Sequence, residues 1–164
     1  MKFKETYSMQ GVYTLIILLS KGKEISVGKL GSAFFPKGYY VYTGSALGRG
    51  QSSLFRRVGR HLLKRKKRHW HIDYLLNVKE AKVINIILSE TTLRKENDVV
   101  GKLESNPELK AVMKGFGSSD CRKKCIAHLH YFGLELGNLE NLVCEAHRSI
   151  GLYPKVIHPS LIRH

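Results

Sequence analysis

The apolar residues in the first third of the chain form short runs that are typical of β-strands. Residues 10–19 are rich in β-branched and aromatic side chains, and a glycine-containing segment, residues 21–23, follows as a turn. This order predicts a hairpin in which residues 24–29 return beside the first strand. A third strand is predicted at residues 39–43, after a break in the chain at residues 36–38. We therefore expect a three-stranded antiparallel sheet.

The first helix is predicted directly after a segment rich in glycine and serine, with Ser52 or Ser53 as its N-cap. Its apolar positions form one stripe that can lie on the sheet, namely Leu54, Phe55, Val58 and Leu62. Cationic positions recur beside that stripe with helical spacing, namely Arg57, Arg60, His61 and Lys64. The pattern therefore predicts a helix that packs on the sheet and carries a cationic ridge.

The rest of the chain alternates between strand and helix signals. The predicted elements are a helix within residues 69–76, a strand at 82–88, a helix at about 90–103 capped by Ser89, a strand at 127–132 and an amphipathic helix at 139–150. Together they indicate a small α/β (α+β) fold, with a central, mainly antiparallel three-stranded sheet flanked by helices.

Length and composition exclude several classes of protein. A chain of 164 residues, 43% of them hydrophobic, is long enough to form a core and too apolar to be disordered. Its longest apolar stretch, residues 12–19, has eight residues, whereas a membrane-spanning helix needs about 20. Three cysteines are too few for a disulfide framework, and no cleavable signal is evident, so we expect a cytoplasmic protein without a membrane partner.

The positive charge is concentrated in one part of the chain. Lys and Arg number 28 against 13 Asp and Glu, a formal net charge of +15, and no acidic residue lies between Glu24 and Asp73. Such clustering favours phosphate binding over a merely solvated surface, so DNA is the expected partner, with RNA left open. The residues expected to contact nucleic acid are Arg49, Arg56, Arg60, Lys64, Arg65, Lys66, Lys67, Arg68, His69 and His71.

Two short motifs of glycine and tyrosine lie on predicted strands of the sheet. Gly11-Val12-Tyr13 lies on the first predicted strand and Tyr42-Thr43-Gly44 on the third, and both precede Arg57 and Glu90. This order is similar to that of the GIY-YIG nucleases, in which the motif strands pair, an arginine lies on the first helix, and a glutamate on a later helix holds one divalent metal ion. The resemblance implies a metal-dependent DNA endonuclease with Mg²⁺ or Mn²⁺ held by Glu90.

A longer resemblance extends to a prokaryotic branch of that superfamily, a domain of unknown function sometimes fused to a DNA-repair glycosylase of the endonuclease III type. It is carried by residues 27–31, 38–46, 69–75 and 115–121 and by His128-Leu129. We therefore assign residues 1–133 to a nuclease-like domain and residues 134–164 to a C-terminal helical extension that packs on it or extends it. The resemblance implies a role in DNA repair or processing, with a DNA-repair enzyme as a partner.

The expected catalytic residues suit phosphodiester hydrolysis. The guanidinium of Arg57 matches a phosphate and keeps its charge, and Glu90 offers the carboxylate oxygen that Mg²⁺ prefers. Tyr13 or Tyr42 would orient or deprotonate the attacking water, with a pKa lowered by neighbouring cations. His61 is the rival base.

The chain departs from the family pattern at three places, one of which is the three residues between Cys121 and Cys125, where the branch is expected to have one. Ser45 stands where the family often has a lysine, so one phosphate contact or water-orienting group is expected to be missing. The two motif tyrosines are separated by 28 residues, more than in ordinary members, which predicts a lengthened or additional strand.

Each assignment also has a structural alternative. The motif tyrosines could be ordinary strand aromatics, and the helix dipole alone would favour Glu90 near a helix start. His69 and His71 with Asp73 could bind a metal, although contact with DNA or with the core is the favoured interpretation.

The later histidines and cysteines raise the question of zinc. Four residues that zinc often uses are Cys121, Cys125, His128 and His130. The cysteine spacing fits a zinc site and the histidine spacing does not. We therefore expect these four residues to be buried structural residues, and we do not expect them to bind a zinc ion. A non-catalytic nucleic-acid-binding module on the same scaffold remains the alternative to the nuclease.

Overall fold

The computed structural model describes residues 9–118, 121 and 125–162. Its strands are β1 (Gly11–Leu19), β2 (Lys23–Ser26), β3 (Ser32–Phe35), β4 (Gly38–Ala46), β5 (Ala81–Glu90), β6 (Lys110–Ala111), β7 (Leu129–Gly133) and β8 (Lys155–Ile157). Six of them form one sheet in the order β6-β7-β4-β1-β5-β8, with every neighbouring pair antiparallel. Strands β2 and β3 pair separately as a two-stranded ribbon.

The helices cover both faces of the sheet. They are α1 (Leu54–Leu62), α2 (His71–Leu76), α3 (Glu96–Glu104) and α4 (Leu139–Arg148). Apolar residues of α1, α2 and the β2–β3 ribbon join one core, and those of α3 and α4 join the other. None of the helices in the described part of the chain is long and apolar enough to cross a membrane.

Strand β1 forms the centre of both cores. Its alternate side chains point to opposite faces, so Tyr13 and Leu15 join the core beneath α1, while Val12 and Ile16 join the core beneath α4. Both of its edges are hydrogen-bonded, one to β4 and the other to β5. This twofold burial explains why the strand is a continuous apolar run without the polar alternation of a surface strand.

The predicted three-stranded sheet is wrong, because β1 does not form a hairpin with the segment that follows it. That segment, β2, pairs with β3 instead, and β1 pairs with two strands distant in sequence. The physical reason is burial: both faces of β1 are covered, whereas β2 buries only Ile25 of its four residues. The strand predicted at residues 39–43 is confirmed and extends over nine residues as β4.

The predicted helix at residues 90–103 is wrong in its first turn and a half. Strand β5 continues to Glu90, because Ser89 and Glu90 still pair with Val12 and Gly11 of β1. Helix α3 begins only at Glu96, where Val99, Val100 and Leu103 provide a buried face. The helices predicted after Ser53 and from Leu139 are confirmed.

A chain of buried hydrogen bonds ties α4 to the sheet. His147 of α4 is fully buried, with Nε2 3.0 Å from Thr14 Oγ1 and Nδ1 2.7 Å from Ser89 Oγ. Thr14 Oγ1 lies in turn 3.0 Å from Thr43 Oγ1 of β4. Because burial lowers the pKa of His147 to about 4, the imidazole is neutral at pH 7 and can accept one hydrogen bond while donating the other.

This histidine makes stability depend on pH in a defined window. With a pKa of about 4 in the folded chain and 6.5 in its ordinary state, His147 takes up its proton more readily when the chain is unfolded. Its contribution is therefore complete above pH 6.5 and is lost as the pH falls towards 4, at up to about 1.4 kcal/mol per pH unit. Urea unfolding of the wild type and of His147→Gln should show a steeper loss for the wild type between these pH values. Parallel pH profiles would contradict this account.

Candidate functional site

A cavity of about 390 Å³ opens beside β4, beyond the last residue that pairs with β7. Pairing between these strands ends at Tyr42 and Leu129, although the Thr43 amide still donates to the His128 carbonyl at 3.1 Å. The cavity is lined by Tyr13, Tyr42, Gly44, Ser45, Leu47, Arg57, His69, Trp70, His71, Arg94, Glu96, Asn97, Gly117, Cys121 and His128. Side chains from β1, β4 and three helices therefore meet at one edge of the sheet.

The two motif tyrosines both reach this cavity, with ring centroids 6.4 Å apart. The hydroxyl of Tyr13 lies 2.7 Å from Nε2 of His61, a buried residue of α1. Burial raises the pKa of both tyrosines well above the ordinary value and lowers the pKa of His61 to about 3. The expected lowering of the tyrosine pKa by cations is wrong, because the cost of burying a phenolate exceeds the effect of Arg57.

Both motif glycines are explained by close packing of the central strands. Gly44 is the register partner of Tyr13, and a Cβ on it would overlap the Tyr13 ring and hydroxyl. A Cβ on Gly11 would collide with the Ser89 carbonyl of β5. Gly44 accepts no side chain because the Tyr13 ring occupies that space, and Gly11 accepts none because the β5 backbone lies so close.

Arg57 occupies the wall of the cavity as the sequence predicts for a phosphate-binding residue. Its Nη1 donates to the Ser45 carbonyl at 2.5 Å, and its guanidinium lies 5.0 Å from the centroid of the Trp70 ring. A carbonyl and an aromatic ring fix the direction of the side chain, and they leave its positive charge available for an anion.

The carboxylate in the cavity belongs to Glu96, which was not among the acids predicted from the sequence. Ser45 Oγ donates to its Oε2 at 2.6 Å, and His128 Nδ1 lies 2.9 Å from its Oε1. The sequence predicts for Ser45 only the absence of a contact that the family often has. In the structure its hydroxyl binds Glu96 and its carbonyl binds Arg57, so Ser45 connects these two residues. Glu90 is exposed at the end of β5 and does not line the cavity. An acidic first turn before Val99, Val100 and Leu103 is the sequence signal that identifies Glu96.

The predicted cationic ridge on α1 is wrong, because its members have different environments. His61 is buried against Tyr13, Arg60 forms an ion pair with Asp73, and Lys64 lies beyond the end of the helix. The helix ends at Leu62 because residues 64–68 bring no apolar side chain to continue its buried stripe.

Asp73 is the anchor of the segment that carries Trp70. Its two carboxylate oxygens accept from Arg60 at 3.0 and 3.1 Å, and one also accepts from the His69 and Trp70 amides. Burial alone would raise the pKa of Asp73, but these hydrogen bonds and the Arg60 charge outweigh burial and lower it. With Arg60 and two amides as its partners, Asp73 does not form the metal site considered with His69 and His71.

The residues expected to contact nucleic acid differ in exposure. The exposed members of the set are Arg49, Arg56, Lys64, Arg65, Lys67, Arg68 and His69. Lys66 donates to the carbonyls of His61 and Leu63 and so closes the end of α1. His71 is half-buried and accepts from the Gly117 amide at 2.9 Å, which fixes the loop before β7.

The cysteine and histidine cluster divides into two parts. Cys121 and Cys125, expected to be buried structural residues, are half-buried and form a disulfide, although three cysteines are too few for a disulfide framework. His128 lies beside them, and its ring nitrogen and the two sulfurs are all within 4.8 Å of one another. His130 points elsewhere, with Nε2 3.3 Å from Glu104 Oε1, an oxygen that also accepts from the amides of residues 126 and 127.

Fold and site together define a mixed α+β protein with an edge cavity lined by both a carboxylate and an arginine. The model of the family described as "Domain of unknown function DUF123" matches residues 12–152, and the chain belongs to this family. No curated protein and no solved structure matches the chain.

The close fit of Gly44 against Tyr13 is tested by adding one methyl group. Gly44→Ala should destabilise the protein by about 1–3 kcal/mol, because the new Cβ displaces the Tyr13 ring from His61. Gly101→Ala in α3 is the matched control: its Cβ meets nothing within 4 Å, and a gain of up to about 1 kcal/mol is expected. Urea unfolding measures both changes, and equal stability of the two variants would refute the fit.

Because Asp73 anchors the segment that carries Trp70, removing the charge of its carboxylate should lower the free energy of unfolding by a large amount. Asp73→Asn should cost about 2–4 kcal/mol of unfolding free energy, because Arg60 loses its partner and two amides face a weaker acceptor. Glu145→Gln is the control, since Glu145 pairs with Arg148 at 2.6 Å and both side chains are exposed, so its change should stay below about 1 kcal/mol. A similar loss in both variants would argue against the anchor.

Proposed function

We propose that the protein is a metal-dependent endonuclease that hydrolyses phosphodiester bonds in DNA, on a scaffold of the GIY-YIG type. The observation that carries the proposal is the meeting of Arg57, Glu96 and the two motif tyrosines in one cavity, with Ser45 bonded to both the arginine and the acid. The motif order in the sequence and the pairing of the two motif strands support it.

Arg57 is the group proposed to bind the phosphate under attack. Negative charge develops on the phosphoryl oxygens during hydrolysis, and a guanidinium held in place before the reaction stabilises that charge without reorganising. Ser45 and Trp70 hold this guanidinium at the cavity wall. A mobile arginine side chain would lose rotamer freedom when it bound the phosphate. Because Arg57 is already fixed before binding, this cost is smaller and phosphate binding is favoured.

Glu96 is the proposed ligand of a hard divalent cation, in place of Glu90. Mg²⁺ and Mn²⁺ prefer carboxylate oxygen and commonly use one or two protein carboxylates together with water and substrate. Glu96 fits this donor set because Ser45 and His128 orient its two oxygens. When bound, such a cation would neutralise charge on the phosphate and lower the pKa of a bound water.

Tyr13 and Tyr42 are proposed to orient the attacking water as neutral hydroxyls. Their raised pKa values keep them protonated at pH 7, so each can donate or accept a hydrogen bond but not act as a phenolate base. The contact between Tyr13 and His61 fixes the direction of one hydroxyl.

The surrounding cations are proposed to hold the DNA backbone. The segment of residues 64–69, exposed except at Lys66, follows α1, whose Arg57 lines the cavity, and Arg94 and His69 line the cavity themselves. A row of cations leading to the site would release counterions on binding, so affinity should fall steeply with salt.

The proposal is tested by exchanging the two candidate acids one at a time. With Mg²⁺ or Mn²⁺, the wild-type protein should nick supercoiled plasmid, and Glu96→Gln should lose about 100-fold or more of that rate. Glu90→Gln, an exposed acid outside the cavity, should nick like the wild type. Full nicking activity of Glu96→Gln, or loss of activity in Glu90→Gln alone, would contradict the assignment of Glu96 as the metal ligand.

A non-catalytic nucleic-acid-binding module is the second candidate. The pKa of His61, about 3, and the raised pKa values of the tyrosines favour it, because none of these groups is a ready base at pH 7. Fluorescence anisotropy with labelled DNA in chelator separates the two functions. Salt-sensitive binding without nicking under any metal condition would identify the module.

A further inference from the structure

The Cys121, Cys125 and His128 cluster lies at the wall of the cavity, and the proposed hydrolysis uses only the contact of His128 with Glu96 and neither cysteine. A ring nitrogen of His128 and both sulfurs lie within 4.8 Å of one another, and Cys121 and His128 both line the cavity. We propose that, when the disulfide is reduced, these three residues form a binding site for a soft divalent cation of the zinc type. The proposal does not depend on nuclease activity.

His128 provides the observation that separates this cluster from a plain disulfide. It is only 3% exposed, and both of its ring nitrogens are buried without a hydrogen bond among the described residues. A buried imidazole nitrogen with no partner is costly, and a metal ion beside it removes that cost. Because Nδ1 already lies 2.9 Å from Glu96 Oε1, we assign Nε2 as the metal ligand.

The proximity of Nδ1 to Glu96 Oε1, 2.9 Å, is close to the arrangement that metal-binding histidines commonly have. Such a histidine donates its second ring N–H to a carboxylate, which fixes the tautomer and makes the ligating nitrogen more basic. A metal on Nε2 would therefore hold the Nδ1 proton towards Glu96. The site would also stiffen the cavity wall next to the acid.

The ligand types and spacing determine which class of metal fits. Two cysteines separated by three residues match the Cys-x₂₋₄-Cys spacing of zinc sites, and thiolates with imidazole select zinc over Mg²⁺. A tetrahedral zinc ion places its sulfur and nitrogen ligands about 3.5 Å apart, which lies within the span of this cluster. Asn97 Oδ1, 3.7 Å from the Cys125 sulfur, or water can complete the coordination.

The disulfide and the metal site exclude each other, because the metal needs thiolates. Reduction by a low-molecular-weight thiol or a phosphine adds two electrons and two protons and converts the disulfide to two thiols. A divalent cation then displaces the two thiol protons and forms two metal–sulfur bonds and one bond to the neutral imidazole. The metal site therefore exists only in the reduced protein.

Cobalt titration tests the proposal, because Co²⁺ in place of zinc absorbs light according to its ligands. Full-length protein is prepared in the disulfide form and in a phosphine-reduced form, and both are titrated without oxygen. The reduced form should bind one equivalent with sulfur-to-cobalt charge-transfer absorption and the intense visible bands of a tetrahedral site, and Zn²⁺ should displace the cobalt. The disulfide form should show no charge-transfer absorption.

Three variants assign the ligands. In Cys125→Ser, the titration should no longer show one equivalent of cobalt bound with sulfur-to-cobalt charge-transfer absorption. His128→Asn should weaken cobalt binding by at least about 10-fold. Cys144→Ser is the matched control, because this third cysteine is buried on α4 and is not a ligand, so its titration should equal that of the wild type.

The wild-type comparison needs no variant, so the proposal stays testable even where a variant fails to fold. Absence of charge-transfer absorption in the reduced wild type would overturn the proposal. Undiminished binding by a folded Cys125→Ser or His128→Asn protein would overturn it as well. Plasmid nicking plays no part in these measurements, so their result is distinct from that of the proposed nuclease function.

Discussion

The register between β1 and β4 is the constraint on which the candidate site depends. It places Tyr13 opposite Gly44, and the absence of a side chain there gives the tyrosine ring its room. Because side chains alternate along a strand, a slip by one residue would move Tyr13 to the opposite face, away from His61 and the cavity. The same register sets Thr14 opposite Thr43, which allows the buried hydrogen bonds to His147. One alignment of two strands therefore positions the site and ties down α4.

Acidic residues are few in this basic chain, and three of them have structural tasks around the cavity. Asp73 anchors Trp70 through its amide, Glu104 accepts from the loop that leads to His128, and Glu96 receives Ser45. Arg57 is fixed by a carbonyl and a ring, so its charge remains directed at the cavity. This division of tasks keeps the cavity attractive to anions while its walls stay rigid.

The elements predicted correctly from the sequence are those with a strong local pattern. The run that forms β1, the aromatic strand β4 and the apolar stripe of α1 are all confirmed because burial and periodicity agree there. The partners of β1 were not predictable in this way, since its pairing with β5 joins residues about 70 positions apart. The Ser89-Glu90 pair resembles a helix start, but pairing with β1 keeps these residues in a strand.

The candidate site was predictable only in part, for the same reason. Tyr13, Tyr42 and Arg57 come from motifs and do line the cavity, whereas Glu96 and the bridging role of Ser45 depend on contacts between distant segments. The most direct test of the central claim is the anomalous X-ray signal of Mn²⁺ in crystals soaked with the ion and a short DNA. The account predicts a peak beside the Glu96 carboxylate, with a DNA phosphate against Arg57. A peak at Glu90, or a phosphate bound away from Arg57, would contradict it.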